Sequence, residues 1–219
     1  MATEIEHQPD CVFCRELAGS RDTNFSRRYP ELSSRIVGKT ASLVAFPCIG
    51  QLAAGHFLIV PKFHDTTFRE TLRRTADLQL QIDSISKHVH SLLEADIHDS
   101  LYFEHGAGSA ADGGCGIYHA HIHVVPNAGH INLAQHFPNE ACSRSNSPNE
   151  ALDSLRKEGP YILFGSPTQG FFCQSLEKAL PSQTLRRLVA NELQGTRWDW
   201  REAGREVGLF ELVQRALSS

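Results

Sequence analysis

The chain has 219 residues, with 21 basic and 25 acidic side chains and a formal net charge of −4 at pH 7. A hydrophobic fraction of 41% with 21% charged residues is typical of a globular chain and excludes a disordered or fibrous one. The acidic balance argues against nucleic-acid binding, which favours a basic surface. The longest apolar run has about five residues, against roughly 20 for a membrane-spanning helix, and the N-terminus lacks the apolar segment of a secretory signal. We therefore expect a cytoplasmic protein with neither a membrane nor a nucleic-acid partner.

The cysteine pattern favours reduced thiols. Of the six cysteines, only Cys11 and Cys14 are close in sequence, and the other four are scattered singly. A small secreted protein held together by disulfides would show denser spacing and an export signal. We therefore expect a reducing compartment, in which the scattered cysteines are buried free thiols.

The first half of the chain predicts several strands, one long helix and a glycine-rich loop. Residues 1–10 are predicted to be a mobile tail. Residues 70–94 place apolar side chains at steps of three and four residues, which predicts an amphipathic helix. Residues 106–116 contain five glycines and predict a loop. Strands are predicted at residues 42–46, 56–60, 101–103 and 117–125.

The composition changes after residue 137. Residues 138–149 are rich in polar turn-forming residues and predict a linker. The pattern beyond it predicts a short helix, a hairpin and two further helices, at residues 149–158, 161–174, 182–194 and 205–217.

Three histidines alternate with apolar residues before residue 125. Because residues i, i+2 and i+4 of a strand point to one face, His119, His121 and His123 are predicted to form a row. Burying such a row is unfavourable unless it binds something. Metal binding by neutral imidazoles and nucleophilic catalysis at a phosphorus or acyl centre both remain open. The adjacent glycine-rich loop favours catalysis, because the backbone N–H groups of glycines approach anions closely.

Three motifs carry a resemblance to a known family. Residues 119–125 read His-x-His-x-His followed by two apolar residues, and residues 55–64 form an apolar strand that ends in Pro-Lys-x-His. Cys11-x-x-Cys14 precedes both. In this order the motifs resemble the zinc-containing branch of the histidine triad (HIT) superfamily of nucleotide hydrolases and transferases. The resemblance covers a little over half of the chain.

The resemblance implies an α+β fold, in which a long helix packs on an antiparallel sheet of about five strands. Residues 1–137 are then the HIT-like catalytic domain. Residues 138–219 are a C-terminal α/β extension that covers or flanks the site.

The resemblance also implies roles for two of the three histidines. His121 is the nucleophile that attacks the α-phosphorus of a nucleotide-like substrate and forms a covalent nucleotidyl-histidine. His123 binds the phosphate oxygens and stabilises the developing negative charge. A backbone carbonyl holds the other ring nitrogen of His121 and fixes its tautomer.

A structural zinc ion is the second feature that the resemblance implies. In members with the cysteine pair, both thiolates, the histidine of Pro-Lys-x-His and the first triad histidine hold the metal. The corresponding residues here are Cys11, Cys14, His64 and His119. This donor set suits a closed tetrahedral site. His56 is expected to be a packing residue rather than a fifth ligand.

The chain departs from the family pattern at two places. The residue that usually binds ribose hydroxyls, two positions after Phe46, is Cys48, which is a poor hydrogen-bonding group. The Gly-Gln-Ser or Gly-Gln-Thr that often precedes the triad strand is replaced, so the hydroxyl that helps to protonate a leaving group is missing. We expect Glu104 and His105 to provide replacement contacts. The replaced segment consists of Gly114, Cys115 and Gly116.

The C-terminal extension has its own candidate binding residues. Ser182 is placed to cap a helix whose first turns present Gln183, Arg186 and Arg187. Guanidinium groups are suited to clamp phosphate oxygens, although a solvated basic helix face is the alternative. Small members of the family often complete their site by dimerising, so a homodimer remains open for this protein.

The sequence thus predicts a zinc-containing histidine-triad enzyme that acts on a phosphate ester or anhydride of a nucleotide-like molecule. Hydrolase, phosphorylase and nucleotidyltransferase activities all remain open. One alternative is a nucleotide-binding or regulatory module that keeps the triad but has little turnover. Another is a metal-dependent enzyme in which the three histidines form a single metal site.

Overall fold

The computed structural model describes residues 8–109, 116–137, 143–195 and 197–219. Within these residues the chain forms seven strands and seven α-helices. The strands are β1 (Gly38–Lys39), β2 (Leu43–Pro47), β3 (Phe57–Pro61), β4 (Ser100–Gly106), β5 (Ile122–Pro126), β6 (Tyr161–Ser166) and β7 (Gly170–Ser175). The helices are α1 (Val12–Leu17), α2 (Asn24–Arg28), α3 (Phe68–Arg74), α4 (Leu78–Leu93), α5 (Pro148–Asp153), α6 (Thr184–Glu192) and α7 (Val207–Ser218).

All seven strands join one antiparallel sheet in the order β1-β2-β3-β5-β4-β6-β7. The α+β class with an antiparallel sheet is therefore confirmed. The first five strands match the expected sheet, and the C-terminal hairpin adds two more. Because β6 pairs with β4 from Tyr102↔Gly165 to Gly106↔Tyr161, the extension shares the sheet of the first 137 residues. The division into two domains stays a prediction.

Both faces of the sheet are buried. Helices α4, α5 and α7 cover one face, where Leu43, Ile59 and Val124 belong to the same apolar cluster as residues of these helices. On the other face, α1 packs with Phe46 and Leu58, and α6 packs with Phe103 and Phe164. Burial on both faces explains why β2 and β3 are apolar throughout rather than alternating.

Two predicted elements differ in the structure. The single helix expected at residues 70–94 is two helices, because Thr75 adopts extended dihedral angles that end α3. The strand expected at 117–125 begins only at Ile122. Just before it, the backbone N–H of Ala120 donates to the carbonyl of Asp65, 2.7 Å away, rather than to a neighbouring strand. His119 and His121 therefore lie in the segment that leads into β5.

Several other predictions fall partly outside the described residues. These are the tail at residues 1–10, the glycine-rich loop at 106–116 and the linker at 138–149. Within the linker, Ser145 forms an isolated bridge with Phe171, and the Ser147 side chain accepts from the backbone N–H of Glu150 to cap α5. No helix in the described part of the chain is both long and apolar enough to cross a membrane.

The loop between β2 and β3 is attached to the C-terminal segment. The carboxylate of Glu206 accepts from the backbone N–H groups of Gly50 and Gln51, at 2.8 and 2.7 Å. Gly50 has φ +73°, and a Cβ there would lie 2.7 Å from the Cα of Trp200. Glycine is therefore required where the two segments touch. This attachment brings the C-terminal segment to the face that carries the histidines.

Candidate functional site

His123 lies in β5 on the sheet face that α1 and α6 cover. Its ring stacks on Phe103 of β4, with centroids 4.5 Å apart and an interplanar angle of 8°. His121 is half-buried just before the strand, with its ring 5.1 Å from that of His123. The strand end and its lead-in segment thus place two of the three histidines side by side.

The tautomer of His121 is fixed by its own backbone segment. Its Nδ1 lies 2.7 Å from the carbonyl oxygen of His119. Because a carbonyl only accepts, Nδ1 must carry the proton, and the neutral ring then has its lone pair on Nε2. This is the backbone contact that the family resemblance implies for the nucleophile.

His56 orients His123 through a chain of hydrogen bonds. The backbone N–H of Leu52 donates to His56 Nδ1 at 3.1 Å, so the proton of this imidazole is on Nε2. His56 Nε2 lies 2.9 Å from His123 Nδ1 and donates to it. His123 is therefore left with its N–H at Nε2. Burial, together with the charge of Arg186, holds the pKa of both rings well below the ordinary value, so both are neutral at pH 7.

Sequence reasoning treated His56 as a packing residue and missed this contact. His56 immediately precedes β3, which pairs with β5 so that Leu58 lies opposite His123. Residues 56 and 58 of an extended chain share a face, so the pairing of β3 with β5 places the His56 side chain near that of His123. The sequence does not show that these two strands are neighbours, so it could not reveal this contact.

Two clefts meet at His121, His123 and Arg186. The Gln183 cleft is lined by Thr66, Phe103, His105, Gln183 and Thr184. The Trp200 cleft is lined by Phe13, Ile49, Leu58, Ile117 and Trp200. A ligand at His121 can therefore extend into a polar cleft on one side and an apolar cleft on the other.

Arg186 is a buried guanidinium that forms no ion pair within the described residues. Its Nε donates to the carbonyl of Trp198 at 2.9 Å, and its terminal nitrogens donate to the carbonyl of Gly50 and to Cys48 Sγ. All three acceptors are neutral. Only 2% of the residue is exposed, so its uncompensated charge favours an anion where the clefts meet.

Gln183 and Arg187, the other two candidate binding residues of the C-terminal extension, differ in whether they line a cleft. Gln183 is buried, donates to Asp199 Oδ1 at 2.8 Å, and accepts from the backbone N–H of Trp200 at 3.3 Å. Its side chain lines the Gln183 cleft. Arg187 is exposed and lines neither cleft. The structure thus brings Gln183 and Arg186 to the triad but leaves Arg187 on the surface.

The four candidate metal ligands come together from three separate parts of the chain. Cys11 Sγ and Cys14 Sγ lie 3.3 and 3.5 Å from His119 Nδ1, and Cys14 Sγ lies 3.3 Å from His64 Nδ1. In a tetrahedral site, Zn–S bonds of ~2.3 Å and Zn–N bonds of ~2.0 Å hold sulfur and nitrogen ligands roughly 3.5 Å apart. These spacings fit a zinc ion.

The protonation of His119 also suits a metal ligand. His119 Nε2 lies 2.8 Å from the carbonyl oxygen of Pro61 and donates to it, which leaves the lone pair on Nδ1, directed at the two sulfur atoms. Burial is the main cause that raises the pKa of the Cys11 thiol to about 12. A thiolate at this position therefore needs a bound cation.

A second group, Cys48, His56 and His123, has its potential ligand atoms equally close together. Here the two imidazoles already share a proton, and the guanidinium of Arg186 lies 3.4 Å from the sulfur. Both features oppose a bound cation. This group is better described as a hydrogen-bond chain that ends at His123.

Residues 29–130 match the family model described as the HIT domain. Over these residues, which are just under half of the chain, the protein resembles the HIT superfamily. The match excludes Cys11, Cys14 and the C-terminal extension, which lie outside its limits.

Similar proteins match about half of this chain. An uncharacterized HIT-like protein of Borreliella burgdorferi is 27% identical over 124 residues, which are 53% of this chain and 75% of that protein. The crystal structure of SMU.412c from Streptococcus mutans is 28% identical, with a TM-score of 0.39, over 54% of this chain and 66% of that one. A Zn-bound histidine triad family protein from Mycobacterium smegmatis is 21% identical, with a TM-score of 0.38, over 57% and 79%.

The residues that the resemblance suggests for substrate binding lie in different surroundings. Cys48 is buried beside Arg186, and burial raises the pKa of its thiol. Phe46 packs in the apolar cluster under α1, where its ring meets Phe13 edge-on at 5.6 Å, and it lines neither cleft. Gly116 is exposed, with φ +85°. Gly114 and Cys115 lie outside the described residues.

The two proposed replacement residues, Glu104 and His105, both line the Gln183 cleft. Both oxygens of Glu104 are occupied, since Oε1 accepts from the backbone N–H of Phe68 at 2.9 Å and Oε2 accepts from the Tyr161 hydroxyl at 2.7 Å. Burial raises the pKa of this carboxyl to about 7. Through these two hydrogen bonds, Glu104 connects its own strand β4 to β6 and to the start of α3.

Proposed function

We propose that this chain is a nucleotidyl hydrolase, phosphorylase or nucleotidyltransferase that works through a covalent intermediate on His121. The observation that carries the proposal is the hydrogen bond from His121 Nδ1 to the carbonyl of His119. It fixes the lone pair on Nε2 of a half-buried ring located where two clefts and a buried guanidinium meet. A nucleophile for a phosphorus centre needs this combination.

In the first step, Nε2 of His121 attacks the α-phosphorus of a nucleotide-like substrate. The N–P bond forms as the P–O bond to the leaving group breaks, and the leaving oxygen takes the bonding electron pair. His123 Nε2–H and the guanidinium of Arg186 stabilise the charge on the phosphoryl oxygens. Because Gly114, Cys115 and Gly116 replace the segment with the hydroxyl that helps to protonate a leaving group, a phosphate or pyrophosphate leaving group is favoured over an amine.

In the second step, an acceptor attacks the phosphorus from the side that the leaving group has vacated. Water, phosphate or another hydroxyl compound can serve as this acceptor. The new bond forms as the N–P bond breaks, His121 Nε2 recovers its lone pair, and the proton of a water or hydroxyl acceptor is released to solvent. The Gln183 cleft is the polar route by which leaving group and acceptor reach the phosphorus.

We also propose that Cys11, Cys14, His64 and His119 hold one structural zinc ion. When bound, the ion cross-links the N-terminal segment to the lead-in of β5 and takes no part in the chemistry. Because the carbonyl of His119 orients His121, the ligands hold the nucleophile in place from two residues away.

The proposal is tested by trapping the intermediate. The protein is incubated with α-³²P-labelled nucleoside triphosphates and dinucleoside polyphosphates, then denatured and analysed for protein-bound label. We expect acid-labile label in the wild type and in His136→Asn, a matched change at a partly exposed histidine paired with Glu192. We expect none in His121→Asn. Equal labelling of His121→Asn would contradict the proposal, and nucleotide binding without label would instead favour the regulatory alternative.

A further inference from the structure

Two residues that line the Trp200 cleft each have a buried polar atom without a partner within the described residues. Glu16 and Trp200 both line this cleft. Oε2 of Glu16 accepts from Arg35 Nε at 2.7 Å, but Oε1 has no hydrogen bond, and only 6% of the side chain is exposed. Trp200 Nε1 is likewise buried and unbonded. Since buried polar groups are nearly always paired, these atoms point to a ligand.

The two unpaired atoms require different hydrogen-bonding groups on a ligand. The Glu16 carboxylate, which pairs with the Arg35 guanidinium, only accepts hydrogen bonds, whereas the Trp200 indole N–H only donates. The other lining residues are mainly apolar or aromatic, which suits a flat ring. The ligand part in this cleft should therefore be a planar ring with N–H donors on its edge and an acceptor nearby.

We propose that the Trp200 cleft binds a guanine base, with Glu16 accepting from its N1–H and N2–H groups and Trp200 donating to its O6 atom. This rests on the proposed function, because a nucleotide with its phosphorus at His121 has its base within reach of the adjoining cleft. Guanine alone among the common bases has two adjacent donors on its pairing edge. Adenine, cytosine and uracil each present an acceptor next to the donor, which an ionised carboxylate repels.

Binding of nucleoside monophosphates tests the proposal without requiring turnover. Dissociation constants of GMP, IMP, AMP and CMP are measured by calorimetry on the full chain. We expect GMP to bind at least about tenfold more tightly than AMP or CMP, with IMP intermediate because it keeps N1–H and O6 but lacks the N2 amine. Equal affinities for GMP and AMP would overturn the assignment.

Glu16→Gln tests the acceptor role directly. The amide has nearly the same shape but presents a donor as well as an acceptor, so the preference for GMP over AMP should fall about tenfold. Glu158→Gln is the matched control. It also replaces a carboxylate that pairs with arginines, here Arg69 and Arg73, but Glu158 is exposed and lies outside the cleft. An unchanged preference in a folded Glu16→Gln variant would contradict the proposal.

Trp200→Phe provides a test if Glu16→Gln does not fold. This change keeps an aromatic ring but removes the indole N–H, so GMP and IMP should lose affinity while AMP, which lacks O6, should not. Equal losses for all three would overturn the contact with O6. If nucleotides of every base label His121 equally, the base assignment fails and the proposed function stands. If no nucleotide binds or labels, both fail.

Discussion

Arg186 and Arg187 are neighbours in the chain, yet only one of them reaches the site. Successive residues of an α-helix point about 100° apart. With Leu185 and Val189 of α6 packed in the core, Arg186 faces the sheet and Arg187 faces solvent. The sequence could not distinguish them, because it does not show which face of α6 is covered.

The first prediction concerns this pair. Arg186→Lys keeps the charge but loses the planar set of donors, so kcat/KM should fall roughly ten- to a hundredfold, the usual range for a charged hydrogen bond. Arg187→Ala is the internal control and should stay within about twofold. The measurement is steady-state kinetics with a substrate that labels His121, accompanied by thermal unfolding of each variant. Equal effects of the two changes would remove Arg186 from the phosphate site.

The chain from Leu52 through His56 to His123 is a second feature at the level of residues. The low pKa of both imidazoles means that each donates through a neutral ring, so His123 presents one N–H in a fixed direction. His56 is therefore a positioning residue that acts through His123.

At the level of elements, α1 is stable only because of its surroundings. It has six residues, its N-cap Cys11 makes no side-chain capping bond, and isolated helices of this length do not persist in water. Phe13 anchors it in the core, and the ion pair of Glu16 with Arg35 ties it to the segment before β1. The proposed zinc ligands at its start would supply a further anchor when the metal is bound.

The second prediction concerns this metal. The purified protein should contain one zinc ion per chain, and Cys11→Ser/Cys14→Ser should contain none, because serine hydroxyls replace both thiolates poorly. Chelation should also expose the N-terminal segment to proteases. Cys173→Ala is the control and should retain zinc, since Cys173 packs in the apolar cluster on the opposite face. Metal analysis and limited proteolysis measure both effects, and stoichiometric zinc in the double variant would contradict the site.

At the level of the whole molecule, the C-terminal extension is part of the sheet and of the core. Strand β6 covers the edge of β4, while α6 and α7 bury apolar residues on opposite faces. The extension also supplies Arg186, Gln183 and Trp200 to the two clefts. Dimer formation stays a prediction, and in this chain any partner would meet β7 rather than β4 at that edge.

The third prediction follows from this arrangement. A fragment ending at residue 137 should not fold cooperatively, because it would expose the hydrogen-bonding edge of β4 and the apolar surfaces of Leu101 and Phe103. Circular dichroism during thermal unfolding and size-exclusion chromatography test this against the full chain. A soluble fragment with a sharp transition would show that residues 1–137 form an independent domain.

The order of residues alone predicts the resemblance to the HIT superfamily, the fold class and the motifs of the candidate site. The resemblance is confirmed over residues 29–130, and the antiparallel α+β fold is confirmed. These features depend on local patterns, such as alternation in strands and short spacings between histidines or cysteines, which the order of residues displays directly.

Which distant residues meet depends on how the whole chain packs. Cys11 and His119 are 108 positions apart yet lie 3.3 Å from each other, and His56 and His123 are 67 positions apart. The burial of Arg186 likewise depends on how α6 packs against the sheet, and that of the unpaired Glu16 oxygen depends on the packing of α1. Such contacts depend on strand order and on the burial of helix faces. These are set by the packing of the whole chain, which no local spacing encodes.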